Sequence, residues 1–441
     1  MNLEEKLVQK LILLKETSSK IEKQEVMITN KDTPLFKEAL VFLLDQFVTI
    51  GISTKALKKE IEPQLVYTSF NDILSYLKSN KTGSNENIAI LLGYLNQFDT
   101  NTKTILSELF SKTLSLGVSA KSVNKAFDQE LIQTFSPQLA FSFEKYIDSI
   151  DELDQLYVTK KLDGTRAIVK IKSNHEIEIL SRKGFPQNGF NQLKEDLLQF
   201  IDKNQHVLTN FPNGFILDGE LLLKNNENLS TLELYQKTSK MIRSSGEKTN
   251  IELNVFDCLS LPDFESNNPS THNYKHRRES WLNAMLESEF IKPLPLTAII
   301  TKKDIPFWHN IAKTNGWEGL MLNTATGFYQ KKRSKDVLKV KEMKTADVEI
   351  IGFNQATSGK FKGKLKSLIV DIGNGNTTDV GFGITDELKI KIWDNQDFYL
   401  GKMIEMQYFE KSKNQKGGES IRFPGFIQFR FDKTPDDMNI E

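Results

Sequence analysis

The string VTKKLDGTRAIV, residues 158–169, sets Lys160, Lys161 and Arg166 around an Asp-Gly pair inside an apolar, strand-like run. Further along, GFILDGELLL (214–223) places Asp218 and Glu220 between apolar triplets, and GWEGLMLN (316–323) places Glu318 between a tryptophan and apolar residues. A carboxylate that enters a strand among apolar neighbours must be paired, bound to a cation, or facing a cleft. VLKVKEM (337–343) then sets Lys339 and Lys341 two apart, so that in a strand both amines share one face. Cations for phosphate oxygens and hard oxygen ligands for a divalent ion are together what a nucleoside phosphate with its metal requires. No G-x-x-x-x-G-K-[ST] loop is present; the nearest string, GKFKGKLKS, lacks both the spacing and the hydroxyl directly after lysine. Phosphate chemistry without that loop directs attention to covalent chemistry at a lysine. Its amine must lose a proton from an unperturbed pKa of about 10.4 before it can attack, and flanking cations favour that loss.

Each of these strings needs a rigid element beneath it. RAIVKIK alternates with period two, SNH offers a turn and EIEIL a partner strand, so an antiparallel pair is expected there. Asp-Gly between alternating apolar residues also suits a tight hairpin at 163–164, where glycine tolerates the positive φ of the turn, and the LDGE string at 217–220 admits the same reading. For VLKVK the plain alternative is an exposed edge strand guarded by lysines. From QTFSPQLAFSFE to about residue 342 the texture is one of short alternating strands, Gly, Asn and Asp turns and a few helical stretches.

Residues 1 to about 130 instead repeat leucines at helical spacing, as in LFKEALVFLLDQF and ENIAILLGYLNQF, with almost no strand signal. The opening MNLEEKLVQKLILLKETSSK spaces Leu3, Leu7, Leu11 and Leu14 helically and is too polar for a signal peptide or a membrane span. A last segment runs from TADVEIIGFNQA to GFIQFRFDK, its strand-like runs separated by SGKFKGK, GNGNTT and KSKNQKGG. That is the pattern of a small five-stranded nucleic-acid-binding barrel. The expectation is therefore three domains: an all-α domain over 1–130, an α+β domain of antiparallel sheets and helices over 131–342, and a C-terminal β-barrel over 343–441.

Composition limits what such a chain can be. Its 441 residues are 39% hydrophobic and 26% charged, values of a globular chain rather than a disordered one. The single cysteine excludes an intrachain disulfide and any site built on several thiolates, which implies a reducing, cytoplasmic compartment. Cys258, in NVFDCLSL, reads as a small buried filler. With 58 basic and 58 acidic residues the formal net charge is zero, so nucleic-acid binding has to rest on local patches. Two are visible. LGVSAKSVNKAF (116–127) offers Ser119, Lys121, Asn124 and Lys125 as donors to phosphate oxygens. SGKFKGKLKS alternates Lys360, Lys362, Lys364 and Lys366 with smaller or apolar residues, so a strand there would present all four on one face; a basic hairpin is the alternative.

Taken in order, these strings resemble the ATP-dependent DNA ligases of the covalent nucleotidyltransferase superfamily across nearly the whole chain. KLDGTR is similar to the nucleophile motif of that family, which implies Lys161 as the adenylated lysine and Arg166 beside nucleotide and nick. By the same resemblance SRKG supplies Arg182, ILDGEL supplies Glu220 for ribose and metal, and VFDCL supplies Phe256 to stack on adenine. WEGLM supplies Glu318 for the metal, and RSKDVLKVK supplies Arg333, Lys339 and Lys341 for the phosphates. FRFDK resembles the distal motif of the family's OB-fold barrel, with Arg430, Asp432 and Lys433. The segment 116–127 resembles part of the helical DNA-binding domain of longer ligases, bacteriophage replication ligases among them.

The resemblance implies ATP and Mg2+ or Mn2+ as cofactors, nicked duplex DNA as partner, a monomer with no membrane association, and action in the cytoplasm, that of a host cell if the source is viral. It implies three steps: a lysyl-AMP forms, AMP passes to the 5′-phosphate of a nick, and the 3′-hydroxyl displaces AMP, as DNA replication, repair and recombination need. The rivals are an RNA ligase or a capping guanylyltransferase, against which the helical amino-terminal domain argues. An NAD-dependent ligase is disfavoured because one cysteine cannot build its four-cysteine zinc site. A non-catalytic nick-binding clamp would not need Lys161, Glu220 and Glu318 together.

Overall fold

The structure is a computed structural model that describes residues 2–341, 343–357, 359–413 and 418–440. It divides into two compact units, Met1–Thr134 with Asn354–Lys366, and Phe135–Phe353 with Ser367–Glu441.

The first unit is carried by α1 (Leu3–Glu16), α2 (Lys20–Thr29), α3 (Phe36–Leu44), α4 (Phe70–Ser79), α5 (Asn85–Leu95), α6 (Thr100–Phe110) and α7 (Ala120–Phe127). Local chemistry starts α1: the Asn2 side chain accepts from the Glu5 N–H while the Glu5 carboxylate accepts from the Asn2 N–H, a capping box. Of its four spaced leucines, Leu7, Leu11 and Leu14 are buried, whereas Leu3 is 48% exposed. At the centre of the core the Phe110 ring meets Phe42, Phe70 and Tyr94 at centroid distances of 6.1, 5.4 and 5.8 Å. A Cβ on Gly93 would lie 2.2 Å from the Gln64 carbonyl, so the extended chain before α4 packs on α5 only because glycine stands there. No helix among the described residues is long and apolar enough to cross a membrane.

The lysine-rich string at 359–366 departs from the expected strand. Gly359 and Gly363 both adopt left-handed φ, 75° and 78°, and Lys362 and Lys364 donate their N–H groups to the carbonyls of Gly359 and Phe361. Lys360, Lys362 and Lys364 thus belong to a chain of turns, and Lys366 alone sits in a strand. The stripe of four amines on one face does not form. Ser358 of that string lies outside the described residues, as does part of KSKNQKGG.

The second unit opens with ten strands: β1 (Leu139–Ser142), β2 (Leu156–Lys160), β3 (Thr165–Ile171), β4 (Ile177–Ser181), β5 (Phe215–Leu223), β6 (Ile251–Ser260), β7 (Ile291–Pro293), β8 (Ala298–Ile300), β9 (Gly319–Thr324) and β10 (Arg333–Lys341). They form two five-stranded sheets, β1-β10-β9-β2-β8 and β4-β3-β5-β6-β7, antiparallel except for the β1/β10 and β6/β7 pairs. In the first, Val158, Leu320, Leu322, Leu338 and Val340 pack with the helix Ile305–Thr314. In the second, Ala167, Val169, Leu217, Leu221 and Val255 pack with the helix Asn191–Lys203. Because side chains alternate along a strand, the residues between these apolar positions face the other way. Thr159, Met321, Lys339 and Lys341 do so on one sheet, and Arg166, Asp218 and Glu220 on the other.

Three of the simpler sequence readings fail for a shared reason, long-range pairing. β2 and β3 belong to different sheets, so VTKKLDGTRAIV is no hairpin. Gly164 is required by space instead: a Cβ there would lie 2.4 Å from the Leu221 carbonyl oxygen and 2.9 Å from Glu220 Cγ. β5 runs unbroken through LDGE, and β10 is an interior strand between β1 and β9. The β3–β4 hairpin, by contrast, forms as the alternation implies, with His175 at φ 63° in its turn.

The remaining strands are β11 (Lys344–Gln355), β12 (Leu365–Asp371), β13 (Thr377–Val380), β14 (Met403–Tyr408), β15 (Glu410–Lys413), β16 (Glu419–Arg422) and β17 (Gly425–Phe429). Five of them pair in the order β13-β12-β11-β14-β17, while β15 and β16 form a separate hairpin. The expected barrel is not closed among the described residues. Its two outer strands share no ladder, and a bridge between Phe382 and Gly425 is what joins the two ends.

Candidate active site

Lys161 directly follows β2, and its N–H donates to the Gly319 carbonyl at 2.9 Å, so the β2–β9 ladder fixes its backbone. Its Nζ lies 2.5 Å from Glu318 Oε2. The other oxygen, Oε1, is 2.6 Å from Lys341 Nζ. Glu318 is buried, and its carboxylate therefore bridges two ammonium groups. Gly319 permits this approach, since a Cβ there would lie 2.1 Å from the Val340 carbonyl oxygen.

Between the polar faces of the two sheets lies a cavity of about 900 Å³. Lys161, Arg166, Arg182, Glu220, Phe256, Glu318, Arg333, Lys339 and Lys341 all line it. Nine residues from six separated strings thus meet at one place.

Their roles within it differ. Arg166 is committed: Nε and Nη2 make a bidentate pair with Asp218 at 2.8 and 2.6 Å, and Nη1 donates to the Gln138 carbonyl at 2.7 Å. Burial opposes its charge, but Asp218 and Tyr329, whose hydroxyl donates to Asp218 at 2.7 Å, hold its pKa above the ordinary value. The guanidinium lies 5.3 Å from the Phe256 ring centroid. Phe256 reaches the cavity because the β5–β6 register shifts between Asp218 and Gly219, leaving it unpaired as a bulge residue re-aimed out of the ladder. Arg333 donates to the Ala140 carbonyl and lies over Phe141.

The side chains of Arg182 and Lys339 have no hydrogen-bond or ion-pair partner among the described residues. Burial lowers the Lys339 pKa, and Lys341, Lys161, Arg333 and Arg182 lower it further. The Arg182 pKa is lowered by burial and then by Arg166 and Arg333. Such a crowd of cations is favourable only toward an anion. The Glu220 carboxylate makes no hydrogen bond among the described residues, and desolvation, with Glu318 and Asp218 adding, pushes its carboxyl up to about 8. It is the group most in need of a ligand. No group of three or more His, Cys, Asp or Glu among the described residues could hold a metal, so a cation here would rely on Glu220, Glu318, phosphate oxygens and water, a donor set that suits Mg2+. Lys160 does not join the cluster's pairs: its amine lies 5.6 Å from the Trp317 ring centroid, and burial lowers its pKa.

Comparison with known proteins assigns two stretches of the chain to known domain families. Residues 137–341 match the ATP dependent DNA ligase domain family, and residues 357–430 match the DNA ligase OB-like domain family. The chain belongs to the ATP-dependent DNA ligases. It is 24% identical to the DNA ligase of Enterobacteria phage T4 over 94% of this chain and 93% of that one, and 23% identical to that of phage T6 over the same shares. It is also 26% identical to the DNA ligase of Archaeoglobus fulgidus over 68% of this chain and 56% of that one. A solved structure named Pmar-Lig_PreS3 shares the fold, with a TM-score of 0.73 at 22% identity, covering 97% of the ligase and 99% of its own chain.

The barrel motif of the ligase lies elsewhere. Arg430 and Lys433 both bind Asp347, Arg430 at 3.1 Å, and Asp432 binds Arg430 at 2.8 Å. None of the three lines the cavity. In their place the β15–β16 hairpin supplies Arg422 and Phe423, which no local pattern singled out. Arg422 Nη1 lies 2.9 Å from Asp163 Oδ2 within the nucleophile motif and also pairs with Glu410. Sequence reading also missed Thr159, Met321 and Asn323, which line the cavity from β2 and β9. Their only signal was the alternation with Val158, Leu320 and Leu322.

In the helical unit Ser119 caps α7, accepting from the Ser122 N–H, and Lys121 and Lys125 are exposed one turn apart. Asn124 departs from its expected role as a phosphate donor. Its amide clasps the backbone of Ile132, donating to the carbonyl at 2.8 Å and accepting from the N–H at 3.0 Å.

Proposed function

We propose that this ligase seals nicks in duplex DNA with Lys161 as the nucleophile that takes AMP from ATP. The observation that carries the reading is the Lys161–Glu318–Lys341 chain at the wall of a cavity that also holds partnerless Arg182, Lys339 and Glu220. Lys161 attacks the α-phosphate while Arg182, Arg333, Lys339 and Lys341 stabilise charge on the phosphates. Phe256 stacks on the base, Glu220 meets the ribose, and Arg166, locked on Asp218, supports Phe256 and the floor. Glu220 and Glu318 would hold Mg2+ or Mn2+, which supplies Lewis-acid polarisation of the phosphate oxygens.

We read residues 1–130 as a helical DNA-binding domain, 131–342 as the adenylation domain and 343–441 as the OB-fold domain. Ser119, Lys121 and Lys125, with the lysines of 360–366, would track the phosphates of the duplex. The protein acts as a monomer in the cytoplasm, that of the host if its source resembles the phage relatives. Lys433, oriented by Asp432 or Arg430, serves the loading of Lys161, which requires the OB-fold domain to leave the position described above.

The deciding experiment is incubation with ATP labelled on the α-phosphate, followed by denaturing electrophoresis. The wild type should carry label and Lys161→Ala none, while the variant still binds nicked duplex, because one cation among many phosphate contacts is a small loss. Label on Lys161→Ala would remove Lys161 as nucleophile.

A further inference from the structure

The Lys341 ammonium is enclosed on more than one side. It lies 4.6 Å from the Phe409 ring centroid and 4.9 Å from that of Phe423, with Glu318 Oε1 at 2.6 Å. The rings stand 6.4 Å apart and 59° from parallel, so together they form a two-walled cage. Both are held by the hairpin that follows β14. The Phe409 N–H donates to the Arg422 carbonyl at 2.9 Å, and Phe423 adopts a left-handed φ of 55°, a strained conformation for an aromatic residue. Arg422 lies against the same rings, 5.4 and 5.6 Å from their centroids, and against Tyr235 at 4.8 Å, while its guanidinium holds Asp163.

Rings suit this task better than a second carboxylate would. An aromatic face attracts a cation and shields it from water without neutralising it or consuming its N–H donors. Lysine has three donors, and Glu318 takes one. The others have no oxygen partner among the described residues, and Lys341 lines the cavity, where phosphate oxygens would accept them. A second acid would hold the amine equally well and cancel the charge that the phosphate needs.

We propose that Phe409 is a positioning residue that, together with Phe423, holds Lys341 for transfer of AMP to the nick and for sealing, in the arrangement of the OB-fold domain described above. Loading of Lys161 does not use the cage, because the hairpin and Lys433 are carried by one domain, and Lys433 lies outside the cavity while the hairpin covers it. The inference rests on the ligase reading.

The test compares Phe409→Leu and Phe409→Tyr in two reactions: self-adenylation with labelled ATP, and single-turnover sealing of a nick that already carries AMP. Phe409→Leu keeps the bulk but loses the ring. It should slow sealing about tenfold, the scale of a desolvated cation–π contact, and leave self-adenylation within about twofold. Retained self-adenylation also shows that the variant folds. Phe409→Tyr should seal within about twofold of wild type. In a Lys341→Ala background Phe409→Leu should cost nothing further, since the effect runs through that amine. Sealing by Phe409→Leu at the wild-type rate, equal losses in both reactions, or a full additional loss on top of Lys341→Ala would each overturn the proposal. A wild type that takes no label from ATP would overturn the ligase reading, and the cage with it.

Discussion

Lys161 Nζ donates to Glu318 Oε2 across 2.5 Å, so the proposed nucleophile is held by a carboxylate that the reaction also needs. In that pair the amine donates to Glu318 and is not free to attack. Glu318 must release Lys161 before the attack, and with Glu220 it would hold the divalent cation whose Lewis acidity the phosphates need. Glu318→Ala should therefore reduce self-adenylation by on the order of a hundredfold or more, the scale of losing one transition-state electrostatic contact, and raise the magnesium concentration needed for half-maximal labelling. An unchanged magnesium titration would leave Glu318 as a lysine clamp with no part in holding metal.

Glu220 gives a prediction in pH. Its carboxyl is raised from an ordinary 4.5 to about 8 by burial first, so between those values the folded protein binds a proton that the unfolded chain has released. Stability from this group accordingly falls as pH rises through that window. Glu220→Gln removes the titration. Its melting temperature should exceed that of the nucleotide-free wild type at pH 8.5, and the gap should shrink toward pH 5. Function runs the other way: protons compete with metal at Glu220, so the metal requirement of the wild type should ease from pH 6 to 8 and that of the variant should not. A melting difference independent of pH would place the Glu220 carboxyl in an ordinary environment.

Much of the site could be read from the chain because period-two alternation survives folding. VLKVK puts Leu338 and Val340 in a core and Lys339 and Lys341 in the cavity, as spacing alone requires. The same logic holds for Asp218 and Glu220 in β5. What could not be read depends on pairing at a distance. Phe256 points into the cavity because of a register shift between β5 and β6, and Arg422 meets Asp163 from 259 residues away. Neither leaves a local pattern. The lysine stripe at 360–366 failed for a reason that was present in the string, since Gly359 and Gly363 take up left-handed conformations that break a strand. The unclosed barrel is again a matter of which strands meet, which hydropathy does not encode.

Asn124 separates stability from DNA capture. Ile132 is almost fully buried, and the Asn124 amide satisfies both its N–H and its carbonyl. Asn124→Ala strands those groups and should destabilise the helical unit by about 1–3 kcal/mol, read from urea denaturation of the full chain. The salt dependence of nicked-duplex binding should stay as in wild type. Lys121→Ala and Lys125→Ala should do the reverse, each reducing the slope of log affinity against log salt by roughly one unit with little change in stability. A reduced slope for Asn124→Ala would return that residue to the DNA surface.

Lys433 supplies the sharpest division between steps. Its amine and the Arg430 guanidinium share Asp347, which is buried, so in this arrangement the motif is stored against its own domain and well separated from Lys161 in role. Pyrophosphate leaves only during loading, when charge develops on the β- and γ-phosphates. A cation delivered there by movement of the OB-fold domain would stabilise that charge and align it opposite the attacking amine. Sealing of a nick that already carries AMP releases no pyrophosphate. Lys433→Ala should therefore slow self-adenylation by on the order of a hundredfold or more, by analogy with removal of one transition-state donor, and leave sealing of the pre-adenylated nick within a few fold. This is the reverse of the pattern expected for Phe409→Leu, so the two variants assayed side by side control for each other. Because Asp347 would lose one of its two cations, Lys433→Met and Lys433→Arg belong beside the alanine variant. If Arg restores neither rate and all three variants lose both steps equally, Lys433 holds the OB-fold domain together and has no part in loading.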